Sequence, residues 1–400
     1  MSDDTGYSLE EATAFRNEWT ADNWDEGGAL MRYVFLNMPE FWKHSVISRG
    51  GTTRELPVST RKDVANFSTT TGDGKKSLQD YVNNSTVNGA LVLHRGEIVF
   101  EAYPRMRQQD KHIYMSVSKE HAASLIAMLE DRDLIDVTKG VETYLPSLQE
   151  SGWAGVSVQD VLDNASGIAC MSAGAYDNPE RCYYQYEASL GWLRATEATL
   201  DSPFAYMETL EAHRPAGEAF EYTSVNTFIL GWIAESISGQ PYADMISTEI
   251  WQKMGAEADG IIVAPRHGIP IASGGISSTL RDMARFGLLF TPSGRTDVQP
   301  IISDAYLKKI QKSGRPEIFV ADGDEEEKLV DGELPHHNAY QWDFVMQDGD
   351  FFKRGFGGQG LYISPSRDLV IAFFGSFDEK GKGHEMTHIA RQLAKSGMFD

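Results

Sequence analysis

A strong helical pattern begins at Lys119 in this chain of 400 residues, where apolar residues recur at every third or fourth position. Ala122, Leu125, Ile126 and Leu129 keep the spacing of a helix that buries one face. The pattern predicts a long amphipathic helix in the first third of the chain.

Strand patterns lie near both ends of the chain. Ala90–Leu93 and Ile98–Tyr103, with Arg95-Gly96 at the turn, predict a hairpin directly before that helix. Phe351–Ser364 and Leu369–Phe374 predict two further strands. The patterns between the two strand regions are mainly helical to about residue 240.

The remaining patterns are shorter. Four helices are predicted at Leu78–Asn83, Val158–Leu162, Thr227–Ser238 (ended by Gly239) and Leu280–Leu289. A fifth, C-terminal helix is predicted to begin at about Gly383. Loops without regular structure are predicted at Ser68–Gly74, as a linker, and at the acidic segment Asp322–Glu327.

Composition narrows the classes of function. The 58 acidic and 36 basic side chains give a net charge of −22, which makes nucleic acid and anionic membranes poor partners. Met1 to Asp4 is acidic rather than a secretory leader, and no apolar run approaches the ~20 residues of a membrane span. We therefore expect a cytoplasmic protein in which the two cysteines, Cys170 and Cys182, are reduced.

Ser116 and Lys119 are the first candidates for chemistry. They lie three residues apart at the start of the predicted helix, so both side chains face the same way on its first turn. The helix dipole there favours a developing oxyanion, and a desolvated lysine can act as a base beside the serine. The alternative makes Ser116 a helix cap and Lys119 a solvated side chain.

The same serine-to-lysine spacing occurs once more, at Ser59 and Lys62. It follows Pro57, has Arg61 beside the lysine and precedes no long apolar helix. We interpret this second match as a surface loop.

Tyr222 lies where a loop meets the predicted helix Thr227–Ser238, with Ser224 close to the cap. A phenol near a cation can carry a proton, although an isolated tyrosine at such a junction is more often structural. A loop rich in aromatic residues, including Tyr183, could floor an apolar pocket or be plain packing.

Two other patterns bear on the chemistry. Glycines at 355, 357, 358 and 360 weaken a strand unless a ligand approaches its backbone, as at the edge of an active site.

His384-Glu385-Met386-Thr387-His388 matches a zinc-protease pattern. It lacks a downstream third ligand apart from Asp400, so we predict neither a metal nor a cofactor.

Together these pieces resemble the serine β-lactamase and penicillin-binding superfamily, for which Ser-x-x-Lys is a signature. The resemblance is closer to the class C-like branch, with its family VIII carboxylesterases and 6-aminohexanoate-dimer hydrolases. The matching segments cover residues 77 to 395 in order and are Gly89–Gly96, Met115–Lys119, Tyr222–Thr227, Gly274–Thr279 and Gly357–Gly360.

The resemblance implies an α+β fold, the β-lactamase/transpeptidase-like fold, in which an antiparallel sheet flanked by helices carries an inserted, mainly helical lobe. We expect residues 1–76 to form an arm on the body, residues 77–120 and 265–400 the sheet domain, and residues 121–264 the helical lobe.

The resemblance also assigns roles. Ser116 is the implied nucleophile, Lys119 the base or proton relay, and Tyr222 the proton donor to the leaving group. The main-chain N–H groups of Ser116 and Phe356 are the implied oxyanion hole. Ser224, Gly357, Gly358 and Tyr183 are further candidates for substrate binding.

Two departures from the lactamases favour esters or small amides as substrates. Arg354-Gly355-Phe356-Gly357 stands where lactamases have Lys-Thr-Gly, so the cation that holds a β-lactam carboxylate is expected to be absent or displaced. Tyr222-Thr223-Ser224 replaces Tyr-x-Asn, as in the dimer hydrolases.

The predicted function is therefore that of a serine hydrolase acting through an acyl-enzyme, first as a carboxylesterase on small esters. The alternatives are an amidase on short amide oligomers or D-peptides, and a penicillin-recognising module that is acylated without turnover. The predicted partner is a small-molecule ester or amide, with no nucleic acid and no membrane, and a homodimer is left open.

Overall fold

A seven-stranded antiparallel sheet forms the centre of the computed structural model, which describes residues 6–172, 176, 178–295, 300–320 and 328–400. Its strand order is β5-β4-β13-β12-β11-β10-β9. Two of its strands precede the helix predicted at Lys119 in the sequence, and the other five follow it. The seven strands are β4 (Val87–His94), β5 (Glu97–Ala102), β9 (His337–Ala339), β10 (Trp342–Val345), β11 (Phe351–Gly355), β12 (Gln359–Ser364) and β13 (Leu369–Gly375).

Two smaller sheets complete the strands. A four-stranded antiparallel sheet has the order β1-β7-β8-β6, and a two-stranded hairpin pairs β2 with β3. Their bounds are β1 His44–Ile47, β2 Ser68–Thr71, β3 Gly74–Ser77, β6 His112–Ile113, β7 Gly260–Val263 and β8 Ile276–Ser278.

Helices pack on both sides of these sheets. The described α-helices are α1 Leu9–Glu18, α2 Gly28–Leu36, α3 Lys62–Ala65, α4 Leu78–Asn84, α5 Lys119–Asp131, α6 Val158–Leu162, α7 Cys182–Leu190, α8 Pro203–Glu208, α9 Ser224–Ser238, α10 Tyr242–Met245, α11 Leu280–Leu288, α12 Asp304–Lys312, α13 Pro316–Phe319 and α14 Met386–Ala394. Short 3₁₀ turns lie at Met38–Glu40, Met115–Ser118, Val141–Thr143, Pro146–Leu148, Pro292–Gly294 and Pro365–Arg367, and a π-helical turn at Ile246–Trp251.

The helix predicted after Lys119 is present as α5, but it is buried on all sides rather than on one face. Every residue from Lys119 to Leu129 is buried, including Glu120 and His121. The polar positions of the pattern therefore face other parts of the protein, not water. The helix is central because α9 packs against it on one side and Phe286 of α11 stacks on His121, with ring centroids 4.1 Å apart.

Helix α11 lies close to the main sheet because it carries a glycine where it crosses β13. A Cβ atom at Gly287 would lie 2.7 Å from Val370 and 2.9 Å from both Ile363 and Leu361. These distances are too short for real contacts, so a side chain there would push the helix off the sheet.

Aromatic residues of the first 42 positions pack into the same core as the helices of the middle of the chain. Trp24 is fully buried, and its ring lies 5.1 Å from that of Trp192 and 5.7 Å from that of Trp42. Large buried rings of this kind contribute about 3–5 kcal/mol each. The N-terminal segment is thus held by apolar packing.

Three sequence predictions were wrong in detail. Ser68–Gly74 is not an irregular linker but belongs to the β2–β3 hairpin, whose polar threonine run pairs in register with Gly74–Ser77. The single strand predicted over Phe351–Ser364 is two strands, β11 and β12, because Gly357 and Gly358 take positive φ angles of 81° and 96° and reverse the chain. The C-terminal helix starts at Met386, not near Gly383.

Within the described residues, no helix is both long enough and apolar enough to cross a membrane.

Candidate active site

Ser116 is placed by a short strand and a sharp turn. Strand β6 ends at Ile113, Tyr114 N donates to Ile276 O at 2.8 Å, and Met115 takes a positive φ of 47°. A non-glycine residue in this region is strained by about 1–3 kcal/mol and needs surrounding structure to hold it. The turn leaves Ser116 half-buried at the first turn before α5, facing the cleft.

Lys119 lies directly beside this serine. Its Nζ donates to Ser116 Oγ at 3.1 Å and to Ser273 O at 2.8 Å, and the side chain is 1% exposed. Burial lowers the pKa of the Lys119 ammonium below its usual value, and neighbouring Lys353 lowers it further, whereas Tyr222 acts in the opposite direction. The arrangement is one in which a lysine can be neutral beside a hydroxyl.

Tyr222 lies between two lysines. Lys119 Nζ is 5.2 Å and Lys353 Nζ 4.8 Å from the centroid of its ring. Tyr222 directly precedes Thr223, the N-cap of α9, and Thr223 Oγ1 donates to Cys170 O. The structure thus brings Ser116, Lys119 and Tyr222 together at one place.

The turn after β11 lies against the residues that precede Ser116. A Cβ at Gly355 would lie 2.5 Å from Tyr114 O, so only glycine permits this approach. Gln359 fixes the turn, since its Nε2 donates to Phe356 O at 2.8 Å and to Gly375 O at 3.1 Å. Phe356, the predicted second oxyanion donor, therefore borders the same cleft as Ser116.

A cleft of about 790 Å³ opens at this point. Tyr183 and Ser224 meet there, since Tyr183 OH donates to Ser224 Oγ at 2.9 Å, and Ser224 N donates to Ser172 Oγ at 3.1 Å. The predicted residues that line the cleft are Ser116, Tyr183, Tyr222, Ser224, Phe356, Gly357 and Gly358.

The patterns set aside in the sequence lie elsewhere. Ser59 and Lys62 are exposed, and Ser59 N pairs with Ile98 O along β5. His388 Nδ1 accepts from Asp331 N at 2.8 Å. Within the described ranges no three His, Cys, Asp or Glu side chains come close enough to hold a metal ion. The acidic segment Asp322–Glu327 lies outside the described residues.

The chain matches a known family over most of its length. The Beta-lactamase family model matches residues 78–395. The chain belongs to the β-lactamase family. It is 27% identical over 374 residues to the 6-aminohexanoate-dimer hydrolase of Paenarthrobacter ureafaciens, and the match covers 93% of this chain and 91% of that protein.

Solved structures show the same fold. A putative 6-aminohexanoate-dimer hydrolase from Bacillus anthracis superposes with a TM-score of 0.80 at 23% identity, over 95% of this chain and 96% of that one. A family VIII carboxylesterase gives 0.56 at 16% identity, over 76% and 90% of the two chains. The fold is β-lactamase/transpeptidase-like, as predicted, and the chain is a serine hydrolase of this family.

Membership of the family draws attention to Lys353, which the sequence interpretation missed. A lysine does stand in this motif, because Lys353-Arg354-Gly355 keeps the lysine and glycine of Lys-Thr-Gly and replaces only the threonine, but Lys353 is not among the residues that line the cleft. Lys353 is fully buried and donates to Asp343 Oδ1 at 2.6 Å and to Gln341 O at 2.7 Å. Burial acts to lower the pKa of Lys353, but the attraction of Asp343 outweighs it and the pKa is raised.

A second missed group is Glu187, a buried carboxyl group on α7. Burial raises the pKa of Glu187 to about 7, against the lowering effects of Tyr183 and Lys119. Its place in the apolar-looking stretch Cys182–Leu190 gave no signal in the sequence, since helical spacing alone does not tell which acid is buried.

The prediction of two reduced cysteines is wrong for this structure, in which Cys170 and Cys182 form a disulfide. Their Cα atoms lie 5.3 Å apart because α7 brings Cys182 back beside the strand-like segment that ends at Cys170. The two cysteines lie 12 positions apart in the sequence, and Met171, Ser172 and Tyr176 between them line the cleft. The sequence spacing alone cannot show this pairing.

Replacing both cysteines by serine should lower the free energy of unfolding by about 2–3 kcal/mol, the value for a loop of this length. We also expect the variant without the disulfide to lose more kcat/KM than other variants that are destabilised by the same amount, because Ser172, between the two cysteines, accepts the hydrogen bond of Ser224 N. Denaturant unfolding and steady-state kinetics measure the two effects. The single variant Leu200→Ala, at an exposed position outside the cleft, is the control, and equal stability with and without the cysteines would contradict the prediction.

Proposed function

We propose that this chain hydrolyses small carboxylic esters through an acyl-enzyme on Ser116. The observation that supports it most is the contact of 3.1 Å between Lys119 Nζ and Ser116 Oγ at the wall of an open cleft. Lys119 is buried, its pKa is lowered by that burial, and among the described residues it forms no ion pair with a carboxylate. A lysine in these surroundings suits a general base.

The steps follow from these positions. Neutral Lys119 takes the proton of Ser116 as Oγ attacks the substrate carbonyl carbon, and the carbonyl oxygen becomes an oxyanion. The N–H groups of Ser116 and Phe356 are the proposed donors to this oxyanion, each expected to contribute about 3 kcal/mol. Collapse of the tetrahedral intermediate breaks the bond to the leaving group, and water then attacks the acyl-enzyme to release the acid.

Tyr222 is proposed to deliver the proton to the leaving group. Its ring lies beside Lys119 and Lys353. Once the phenol has given its proton to the leaving group, Lys119 can return the proton taken from Ser116 to the phenolate, which charged Lys353 stabilises in the interval. An alcohol or amine leaving group must receive a proton as its bond to the carbonyl carbon breaks, whereas nitrophenolate leaves without a proton. The phenol is therefore the group that would decide between substrates.

A second candidate is the hydrolysis of short linear amides. It is favoured by the match to a 6-aminohexanoate-dimer hydrolase over 93% of the chain. The same residues serve both reactions, and the amide reaction depends more on Tyr222.

A substrate panel tests the proposal. Nitrophenyl esters, 6-aminohexanoate dimer and a chromogenic cephalosporin would be measured with the native protein and with Ser116→Ala. Turnover of esters that requires Ser116 supports the first candidate, and turnover of the dimer supports the second. A burst of one equivalent with no further release would instead indicate a penicillin-recognising module that stays acylated.

Tyr222→Phe should lower kcat/KM for an amide by about 10²–10⁴-fold and for a nitrophenyl ester by much less, because only the amine needs the proton. Unfolding should change by about 1 kcal/mol or less, since the substitution removes one half-buried hydroxyl group. The ratio of amide to ester activity, measured on one preparation, is the readout. Equal losses on both substrates would place Tyr222 in the activation of Ser116 rather than at the leaving group.

A further inference from the structure

Two chemically different sets of side chains line the cleft. One set is aromatic, with Tyr176 5.9 Å from Tyr183 and 6.2 Å from Phe356, and Phe356 5.0 Å from Phe377. The other set is charged and consists of three cations and two carboxylates, in a chain with a net charge of −22: Arg214, Lys328, Arg354, Glu221 and Asp343.

Both carboxylates of the charged set already accept hydrogen bonds within the protein. Glu221 accepts from Arg214 at 2.5 Å and lies 3.0 Å from His213 Nε2, in both cases through Oε2, and its Oε1 is buried without a hydrogen-bond partner among the described residues. Asp343 accepts from Lys353 Nζ through Oδ1 at 2.6 Å, and from the main-chain N–H of Arg354 through Oδ2 at 2.9 Å. Both carboxylate side chains are 8% exposed, so they offer little surface to a cationic substrate.

Arg354 is in the opposite situation. The nearest carboxylate oxygen to its guanidinium, among the described residues, is Asp343 Oδ2 at 3.8 Å, and that oxygen already accepts the N–H of Arg354 itself. The side chain is 49% exposed. Its charge is therefore not committed to an internal ion pair of ordinary length.

The position of Arg354 is nevertheless fixed. Its guanidinium lies over the ring of Phe344, 4.4 Å from the centroid, and Phe344 is 3% exposed. Stacking on a buried ring orients the planar fork of donors and limits the entropy lost when an anion binds. Arg354 also directly precedes Gly355 and Phe356, so it is two residues from the proposed oxyanion donor.

We propose that Arg354 binds a carboxylate on the substrate and makes the enzyme selective for anionic esters or amides. The substrate class is an acid derivative with a second, free carboxylate a short apolar chain away from the scissile bond. The inference rests on the proposed function of the cleft, and it adds a specificity-determining residue to it. A guanidinium and a carboxylate form two parallel charge-assisted hydrogen bonds, which a neutral substrate of the same length cannot make.

The test compares substrates that differ only in charge. On the acyl side the pair is the nitrophenyl ester of pentanoate and the nitrophenyl monoester of glutarate; on the leaving-group side it is phenyl acetate and carboxyphenyl acetate. The readout is the ratio of kcat/KM for the anionic member to that for the neutral member. Native protein, Arg354→Gln and Arg354→Lys are measured, with Arg194→Gln as the control for net charge, because Arg194 is 65% exposed and lies outside the cleft.

In Arg354→Gln the ratio should fall by about 10- to 100-fold for at least one pair, with kcat/KM for the neutral member within about threefold of native. Arg354→Lys should retain part of the preference, and Arg194→Gln all of it. A ratio that stays within twofold of native in Arg354→Gln, for both pairs, overturns the inference.

Failure of this inference is distinct from failure of the proposed function. If Ser116→Ala abolishes turnover of the neutral esters while Arg354→Gln leaves the ratio unchanged, the hydrolase mechanism stands and Arg354 has no part in selection. Circular dichroism of each variant checks that the exposed substitution has not disturbed β11.

Discussion

Ser116→Ala should lower kcat/KM by about 10⁴- to 10⁶-fold on every ester that the native protein cleaves, because the variant has no nucleophile with which to form the acyl-enzyme. The hydroxyl group is small and half-buried, and it accepts its hydrogen bond from Lys119, so the fold should persist without it. Steady-state kinetics with nitrophenyl esters, beside a thermal unfolding curve, measure both effects.

Ser59→Ala is the matched control for this variant. Ser59 has the same spacing to a lysine, but it is exposed on the strand-like segment beside β5 and lies outside the cleft. It should keep native activity. A loss of activity in Ser59→Ala and not in Ser116→Ala would contradict the assignment of the nucleophile.

Lys119→Arg should lower kcat/KM by about 10³- to 10⁴-fold, although it keeps a positive charge beside Ser116. The guanidinium cannot lose its proton in a protein, so it cannot accept the proton of the serine. Lys119→Met removes the charge as well and is the comparison. If Lys119→Arg kept most of the activity that Lys119→Met loses, Lys119 would act as a cation and not as a base.

The pH dependence of the native enzyme should report the same base. Because burial lowers the pKa of Lys119, kcat/KM should rise with pH as the ammonium loses its proton and reach its plateau below the pH at which an exposed lysine titrates. Glu187 has a pKa of about 7, so above neutral pH it carries a negative charge near Lys119. The rising limb should therefore move in Glu187→Gln, toward lower pH, since the negative charge of Glu187 favours the protonated form of Lys119.

The parts of the site that the sequence predicted are those fixed by local pattern. The helix at Lys119 and the cap of the helix before Gly239 follow from spacing and from the glycine that ends α9 with a φ of 66°. The three-residue interval between Ser116 and Lys119 becomes a side-chain contact because the helical turn makes it so. Local rules of this kind require no knowledge of distant contacts.

What the sequence could not show depends on contacts between distant residues. Lys353 meets Tyr222 only because β11 and the loop before α9 converge, and the arginine that replaces a threonine in the motif hid this lysine from the sequence interpretation. The pairing of Cys170 with Cys182 depends on where α7 begins in space. Burial of α5 on every side follows from the elements that surround it, and its own polar residues gave the opposite expectation.

The assignment of Ser116 as the acylated residue is tested most directly by mapping a covalent adduct. Active protein would be treated with a fluorophosphonate, digested and analysed by mass spectrometry, with Ser116→Ala treated in parallel. The account predicts one adduct, on the peptide that contains Ser116, whose appearance follows the loss of activity and which is missing from the variant. An adduct on the peptide that contains Ser59, or complete inactivation without any adduct at Ser116, would contradict it.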